Sequence, residues 1–207
     1  MTAQGTVYIV EDDVALSRSL VRSLEKRGYR VAAYASAQSF LADLKMVTPA
    51  CLVLDYGLPG MNGLELQAHL NKKSIPLPIV FITGHGGIPE SVQATKAGAV
   101  DFLEKPYKPE VLIDRIETGL ALSRDLAAEN EKTSVLQANV NRLTDREAEV
   151  FHLILRKPNQ ASSKGLAIDL GISPRTADIH RSRVLEKTGC ATVAELVMVY
   201  KDFTEEE

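Results

Sequence analysis

Short apolar segments alternate with amphipathic segments through the first half of the chain. Five mainly apolar runs have the length and character of strands buried on both faces of a sheet. They are TVYIV (6–10), RVAAY (30–34), CLVLD (51–55), PIVFIT (78–83) and VDFLEK (100–105). Between them, apolar residues recur at helical spacing, as in the stripe from Val14 to Leu24, which ends before Gly28. The repeated strand–helix unit predicts an α/β fold with a five-stranded parallel sheet and helices on both faces.

Strand patterns are absent from the second half of the chain. Four helical patterns follow instead, over residues 145–156, 163–170, 174–188 and 192–200. Between the two halves, apolar residues recur every three or four positions, and no proline or glycine follows Gly119 up to residue 143. This segment predicts a helical linker and a candidate dimer seam, although Glu129 and Thr133 on the same stripe argue against a long coiled coil. The predicted domains are 1–122, a linker at 123–141, and 142–207.

Composition narrows the class of protein. The chain has 207 residues, of which 45% are hydrophobic and 25% charged, which is typical of a globular protein. Two distant cysteines form neither a disulfide framework nor a zinc motif, so we expect a reducing, cytoplasmic setting. We expect neither a signal peptide nor a membrane span. Residues 142–201 hold ten basic and seven acidic side chains, a mild excess that is compatible with nucleic-acid binding.

Polar side chains stand where the predicted strands end. Asp12 and Asp13 follow the first strand, Asp55 ends the third, Thr83 ends the fourth and Lys105 ends the fifth. A parallel sheet brings these ends to one edge, where ligands bind in open α/β folds. Three carboxylates at one edge repel one another unless a cation lies among them. Hard cations such as Mg²⁺ prefer oxygen ligands, so the pattern predicts a Mg²⁺ site. Asp55 is then either a metal ligand or a nucleophile that accepts a phosphoryl group.

Several motifs carry a resemblance to a known family. VEDD, LDYGLPGMNGLEL, ITGHG and AGAVDFLEKPY resemble the receiver domain of bacterial two-component response regulators. LTDREAEV and GLAIDLGISPRTADIHRSRVLEKTG resemble the LuxR-type helix-turn-helix. Together they are similar to the FixJ/NarL family, nearest its FixJ branch. The resemblance implies a flavodoxin-like, doubly wound receiver domain and an all-α, four-helix DNA-binding domain.

The resemblance also implies roles at the sheet edge. Asp55 is the implied phosphoacceptor, and the implied Mg²⁺ ligands are Asp12, Asp13, Asp55 and the Gly57 carbonyl. Lys105 would contact the phosphoryl group and precede a cis peptide bond to Pro106. Thr83 and Phe102 would form a switch pair that moves when Asp55 is modified. The implied partners are a sensor histidine kinase, promoter DNA and a second copy of the chain, which would pair through the fourth helix, fifth strand and fifth helix. RNA polymerase is a further candidate partner.

The segment from Pro174 to Thr188 is the predicted recognition helix. Its exposed face would enter the major groove, where cations hold phosphates and polar groups contact bases. Ile179 would contact a thymine methyl group. The predicted DNA-contacting residues are Lys164, Arg175, Thr176, Asp178, Ile179, His180, Arg181, Ser182, Arg183 and Lys187.

Two features depart from the usual family pattern. Asp178 stands where relatives commonly carry Lys, and an acid there repels phosphate or accepts a hydrogen bond from a cytosine amine. The segment LILRKPNQASSKGLA resembles the family pattern but looks about three residues longer than the family norm between the first two helices of the DNA-binding domain. This lengthened turn is a candidate contact with the DNA backbone or with a partner.

Alternative functions were weighed against the residues. An aspartyl-phosphate phosphatase shares the strand-end Asp and Mg²⁺, but such enzymes usually carry a second acid two residues later, where this chain has Gly57. No dinucleotide or P-loop fingerprint occurs. A regulator that acts mainly through protein partners remains open. We expect a phosphorylation-controlled transcription factor and not an enzyme.

Overall fold

The computed structural model describes residues 4–84 and 88–203. The strands within these residues are β1 (Thr6–Val10), β2 (Arg30–Tyr34), β3 (Ala50–Asp55), β4 (Ile79–Thr83) and β5 (Asp101–Glu104). The first five helices are α1 (Val14–Glu25), α2 (Ala37–Asp43), α3 (Gly63–Lys72), α4 (Ile88–Lys96) and α5 (Pro109–Val140). The others are α6 (Asp145–Arg156), α7 (Ser163–Leu170), α8 (Pro174–Thr188) and α9 (Val193–Val199). The positions predicted for the five strands are confirmed to within one residue at each end.

The five strands form one parallel sheet in the order β2-β1-β3-β4-β5. Strand β1 lies between its two neighbours in register, with Val10 beside Tyr34 on β2 and Leu54 on β3. The predicted doubly wound α/β architecture is therefore confirmed. The carboxyl ends of β1, β3, β4 and β5 meet at one edge of the sheet.

Alternate residues of each strand pack into two separate cores. Tyr8 and Val10 face a core that α2, α3 and α4 cover, through residues such as Phe40, Leu66 and Ala94. The intervening residues face the other core, whose members include Val7, Ile9, Val53, Ile82, Leu24, Leu112 and Ile116. Burial on both faces explains why the central strands β1, β3 and β4 are mainly apolar in sequence.

The chain divides into two compact units, Met1–Glu129 and Asn130–Glu207. Helix α5 continues without a break from Pro109 to Val140, because no helix-breaking residue follows Gly119. The segment predicted as a fifth helix and a linker is thus one helix. The domain limits 1–122, 123–141 and 142–207 remain predictions.

The second unit is a cluster of helices around one apolar core. Phe151 from α6, Leu166 from α7, Val184 from α8 and Leu196 from α9 are all buried there. Tyr200 is also buried, and its hydroxyl donates to the Thr188 carbonyl at 3.1 Å. The ends of the helices follow ordinary capping rules, as in α8, where the Ser173 side chain caps the start and Gly189 ends the helix at φ 73°.

None of the described helices is both long and apolar enough to cross a membrane. Cys51 and Cys190 are free thiols, and both are buried.

Candidate functional site

Three carboxylates converge at the carboxyl edge of the sheet. Glu11 and Asp12 follow β1 directly, and Asp55 is the last residue of β3. One carboxylate oxygen from each of the three lies within 4.8 Å of the others. Glu11 is 2% exposed and Asp55 is 7% exposed, whereas Asp12 is open to solvent. Closely spaced carboxylate oxygens are the donors that a hard divalent cation prefers, so the residues fit Mg²⁺.

Lys105 provides the positive charge of this cluster. Its Nζ donates to Glu11 Oε2 at 2.8 Å and to Asp55 Oδ1 at 3.3 Å. Burial raises the pKa of Glu11, and the nearby Asp55 charge acts in the same direction, against the lowering effect of the Lys105 bond. Burial alone would lower the pKa of Lys105, but the bond to Glu11 and the charge of Asp55 outweigh it and raise that pKa. Lys105 therefore stays protonated beside the two buried acids.

Asp13 lies outside the carboxylate cluster, which corrects the predicted ligand set. Its Oδ1 accepts the backbone N–H groups of Ala15 at 2.8 Å and Leu16 at 3.0 Å, so it is the N-cap of α1. These bonds to Leu16 and Ala15 lower the pKa of Asp13. Glu11 is the residue that the sequence analysis missed. The capping rule, which expects Asp immediately before a helical stripe, would have assigned Asp13 to the helix and left Glu11 and Asp12 for the cluster.

The other predicted residues of the sheet edge are placed by β3, β4 and β5. Thr83 ends β4 and is 1% exposed. Phe102 in β5 is partly buried, and its ring lies 6.2 Å from Tyr56 and 5.7 Å from Phe81. A Cβ added at Gly57 would lie 3.8 Å from Asp55 Oδ2, so the backbone at Gly57 lies close to this carboxylate. The peptide bond from Lys105 to Pro106 is cis, as the resemblance implied. His85, considered as a neighbour of the site, lies outside the described residues.

In the second unit, α7 and α8 form the helix-turn-helix. Gly171 ends α7 in the left-handed region at φ 64°, and Ser173 with Pro174 begins α8. Most predicted DNA-contacting side chains are exposed, and His180 and Arg181 are partly buried. The exposed ones are Lys164, Arg175, Thr176, Asp178, Ile179, Ser182 and Arg183. Ile179 is 46% exposed, so its side chain is available for the predicted contact with a thymine methyl group.

Lys187 differs from the other predicted DNA contacts. Its Nζ donates to Glu147 Oε2 at 2.6 Å and to the Arg142 carbonyl at 3.0 Å. Glu147 is 2% exposed and also accepts the backbone N–H of Thr144 at 2.8 Å. Both acceptors lie within the unit, so Lys187 contributes to the stability of the helix cluster, and its contact with DNA stays a prediction.

The buried Glu147 carboxylate makes a pH-dependent contribution to stability. The Lys187 bond and the Thr144 N–H hold the pKa of Glu147 at about 2, below its ordinary 4.5. A lowered pKa stabilises the fold above the unfolded-state value, and this contribution is lost as pH falls from about 4.5 to about 2. We expect Glu147→Gln to lower the free energy of unfolding of the second unit by about 2 kcal/mol at pH 7. Urea unfolding followed by NMR signals of α6 and α8 measures this. A difference from wild type that stayed constant down to pH 2 would contradict the assignment.

The lengthened turn before α7 packs tightly on that helix. It contains a short 3₁₀ turn at Pro158–Gln160, and Lys157 before it pairs with Asp169 of α7 at 3.1 Å. A Cβ added at Gly165 would overlap the Gln160 carbonyl oxygen, and the Gln160 carbonyl carbon would lie only 3.0 Å away. Gly165 is therefore required where the turn meets the helix, and the sequence analysis did not single it out.

Comparisons with known proteins place both units among described families. Residues 7–117 match the response regulator receiver domain, and residues 141–200 match the bacterial regulatory proteins of the luxR family. Over its whole length the chain is similar to the response regulator protein TmoT of Ectopseudomonas mendocina, with 36% identity covering 95% of this chain and 88% of that protein.

Two further relatives extend the likeness. The transcriptional regulatory protein FixJ of Bradyrhizobium diazoefficiens is 35% identical, with 95% of each chain covered. The solved structure of the response regulator StyR aligns with a TM-score of 0.81 at 38% identity, covering 97% of this chain and all of that one. The likeness thus spans both units and includes the fold.

Proposed function

The chain belongs to the transcriptional response regulators that join a receiver domain to a LuxR-type DNA-binding domain, and we propose that phosphorylation of its Asp55 controls DNA binding by the second unit. The observation that carries this proposal is the position of Lys105 Nζ, 3.3 Å from Asp55 Oδ1 and 2.8 Å from Glu11 Oε2. The ammonium group stands beside the oxygen that would receive the phosphoryl group, and it would pair with that group's new charge.

The chemistry at Asp55 is phosphoryl transfer from a phosphohistidine of a sensor kinase. An Asp55 carboxylate oxygen attacks phosphorus, a P–O bond forms, and the P–N bond breaks as the imidazole nitrogen leaves with its electron pair and takes a proton. Lys105 would hold a phosphoryl oxygen, and the Thr83 hydroxyl would donate to another. A divalent cation held by Glu11, Asp12 and Asp55, with the Gly57 carbonyl as a candidate fourth ligand, would offset phosphoryl charge.

Thr83 and Phe102 are the proposed route from Asp55 to the surface of the receiver. Thr83 pairs with Glu104 in the sheet register, and Phe102 lies two residues before Glu104 on the same strand. Phe102 is only partly buried, so its ring has room to turn between the core and the surface when Thr83 moves. The proposed output is a dimer formed through α4, β5 and α5, where Val92 is 44% exposed and Val111 is 37% exposed.

Two neighbouring acids allow a matched test of the metal site. We expect Asp12→Asn to weaken Mg²⁺ binding by at least about tenfold, because it removes one charged ligand. Asp13→Asn is the control: asparagine also caps helices well, so both the fold and the Mg²⁺ affinity should be retained. Titration calorimetry with MgCl₂ measures both variants. If Asp13→Asn weakened binding as much as Asp12→Asn, the assignment of Glu11 and Asp12 in place of Asp12 and Asp13 would be wrong.

The alternatives have less support. A phosphatase of the aspartyl-phosphate type needs an acid near position 57, and glycine supplies none. The relatives are transcriptional regulators, and we propose that this chain likewise has no catalytic turnover of its own. A role mainly through protein partners predicts no salt-dependent binding to duplex DNA, and affinities for duplex DNA measured over a range of salt concentrations test this.

A further inference from the structure

Asp178 and the lengthened turn, the two departures from the family pattern, are linked by Ser163, the residue that directly follows the turn and contacts Asp178. The turn ends at Ser162, whose Oγ accepts the Gly165 N–H at 3.1 Å and so caps α7. The next residue, Ser163, donates its hydroxyl to Asp178 Oδ1 on α8 at 2.7 Å. The carboxylate on the recognition helix is thus held by the first residue of α7.

The same Asp178 oxygen binds an arginine of the recognition helix. Arg181 Nη2 donates to Asp178 Oδ1 at 2.9 Å, one helical turn along α8. The Arg181 side chain is 31% exposed, and its Nε is buried without a hydrogen-bond partner among the described residues. The guanidinium is therefore fixed at one edge, while part of it still faces solvent on the side of α8 that carries the exposed DNA-contacting residues.

Holding an arginine in this way changes what it recognises. A free guanidinium on a flexible side chain reaches any nearby phosphate, which supplies affinity without sequence information. A carboxylate partner offsets part of its charge and fixes its planar fork before binding. A fixed fork is suited to the paired acceptors of guanine, O6 and N7, in the major groove.

We propose that Ser163, Asp178 and Arg181 form a single specificity unit, in which Arg181 contacts a guanine and Asp178 is its positioning residue. Ser163 holds Asp178 in place, and the lengthened turn sets the position of Ser163. This inference rests on the proposed function, since it requires that α8 enters the major groove.

The competing explanation is electrostatic: Asp178 would only repel phosphates and Arg181 would be an ordinary cation. Ser163→Ala separates the two, because it removes the 2.7 Å bond without changing any charge near the DNA. Ser134→Ala, at an exposed position on α5, is the matched control for loss of a hydroxyl.

The test uses the full-length protein with beryllofluoride and Mg²⁺. Wild type first selects sequences from a duplex pool with a randomised centre. Affinities for the selected duplex and for a scrambled duplex are then measured over a range of salt concentrations for wild type, Ser163→Ala, Asp178→Asn, Arg181→Lys and Ser134→Ala. The ratio of the two affinities is the specificity, and the slope of the logarithm of each affinity against the logarithm of the salt concentration counts the phosphate contacts.

The specificity unit predicts a distinct pattern. Asp178→Asn and Arg181→Lys should each lower the specificity ratio by about tenfold, the size of one guanine contact. Asp178→Asn should at the same time strengthen binding to the scrambled duplex. Ser163→Ala should lower the ratio by about threefold with an unchanged salt slope, and Ser134→Ala should match wild type.

Two results would overturn the inference, and they differ from failure of the proposed function. If wild type selects a sequence but Ser163→Ala retains its full specificity ratio, Ser163 positions nothing. If Asp178→Asn strengthens binding to both duplexes by the same factor, Asp178 acts through charge alone. If wild type selects no sequence and binds no duplex at low salt, the DNA-binding function itself fails, and the specificity unit fails with it.

Discussion

Asp55→Asn is expected to remove phosphoryl uptake from the receiver while leaving its fold intact. The rate with a small phosphoryl donor such as acetyl phosphate should fall by at least about a thousandfold, because an amide oxygen is a poor nucleophile for phosphorus. The exchange is nearly isosteric, and the amide oxygen can still accept the Lys105 hydrogen bond that spans 3.3 Å in the wild type. Intact-mass spectrometry after incubation with the donor and Mg²⁺ measures the uptake.

The same substitution at another carboxylate shows whether the loss of phosphoryl uptake is specific to Asp55. Asp125→Asn, at an exposed position on α5, should take up phosphate at the wild-type rate. Circular dichroism and thermal unfolding of both variants confirm that the receiver is folded. An Asp55→Asn protein that still acquired one phosphoryl group at the wild-type rate would show that another residue is the acceptor.

Gly165→Ala is expected to destabilise the DNA-binding unit more than any other small-residue exchange on α7. The added methyl group would overlap the Gln160 carbonyl oxygen, which belongs to backbone and cannot turn aside as a side chain can. Either the turn at 157–162 moves or the helix shifts, at a cost of about 3 kcal/mol in the free energy of unfolding. In an ordinary helix interior the same exchange would be stabilising, because alanine has the higher helix propensity. The sign of the effect therefore tests the packing directly.

Ile168→Ala on the same helix is the control for Gly165→Ala. Ile168 is 81% exposed, so its truncation should leave stability within about 0.5 kcal/mol of wild type. Urea unfolding of the second unit, followed by NMR signals of α6 and α8, compares the two variants. A Gly165→Ala protein as stable as wild type would mean that the lengthened turn does not lie against α7.

The positions of the central strands β1, β3 and β4 were predictable because these strands are buried on both faces of the sheet. In β3 every residue from Ala50 to Asp55 is buried, which leaves a continuous apolar run that no surface strand would carry. The end of α7 and the start of α8 were also predictable from single residues. Gly171 ends α7, Ser173 is the N-cap of α8, and Pro174 is the first residue of α8. The placement of Asp55, Thr83 and Lys105 at one edge followed from the parallel topology alone.

The differences from the sequence analysis concern contacts that no periodic pattern of apolar residues reveals. Which of the three successive acids Glu11, Asp12 and Asp13 join the carboxylate cluster depends on which one caps α1. Asp13 caps α1 by accepting the backbone N–H groups of Ala15 and Leu16. Lys187 appeared to be a groove-facing cation, but its partner Glu147 lies forty residues earlier on α6. The need for glycine at 165 depends on the path of a turn that has no periodic pattern. Helical spacing identifies the face of a helix but not the group that lies across from it.

The central claim is that Asp55 modification controls DNA binding. The most direct measurement is fluorescence anisotropy of the selected duplex with full-length protein, with and without beryllofluoride and Mg²⁺, for wild type and Asp55→Asn. We expect the adduct to tighten binding by wild type by at least about fivefold, as a coupling of about 1–3 kcal/mol would give, and to leave Asp55→Asn unchanged. Binding by wild type that did not change, despite an adduct confirmed by fluorine NMR, would contradict the claim.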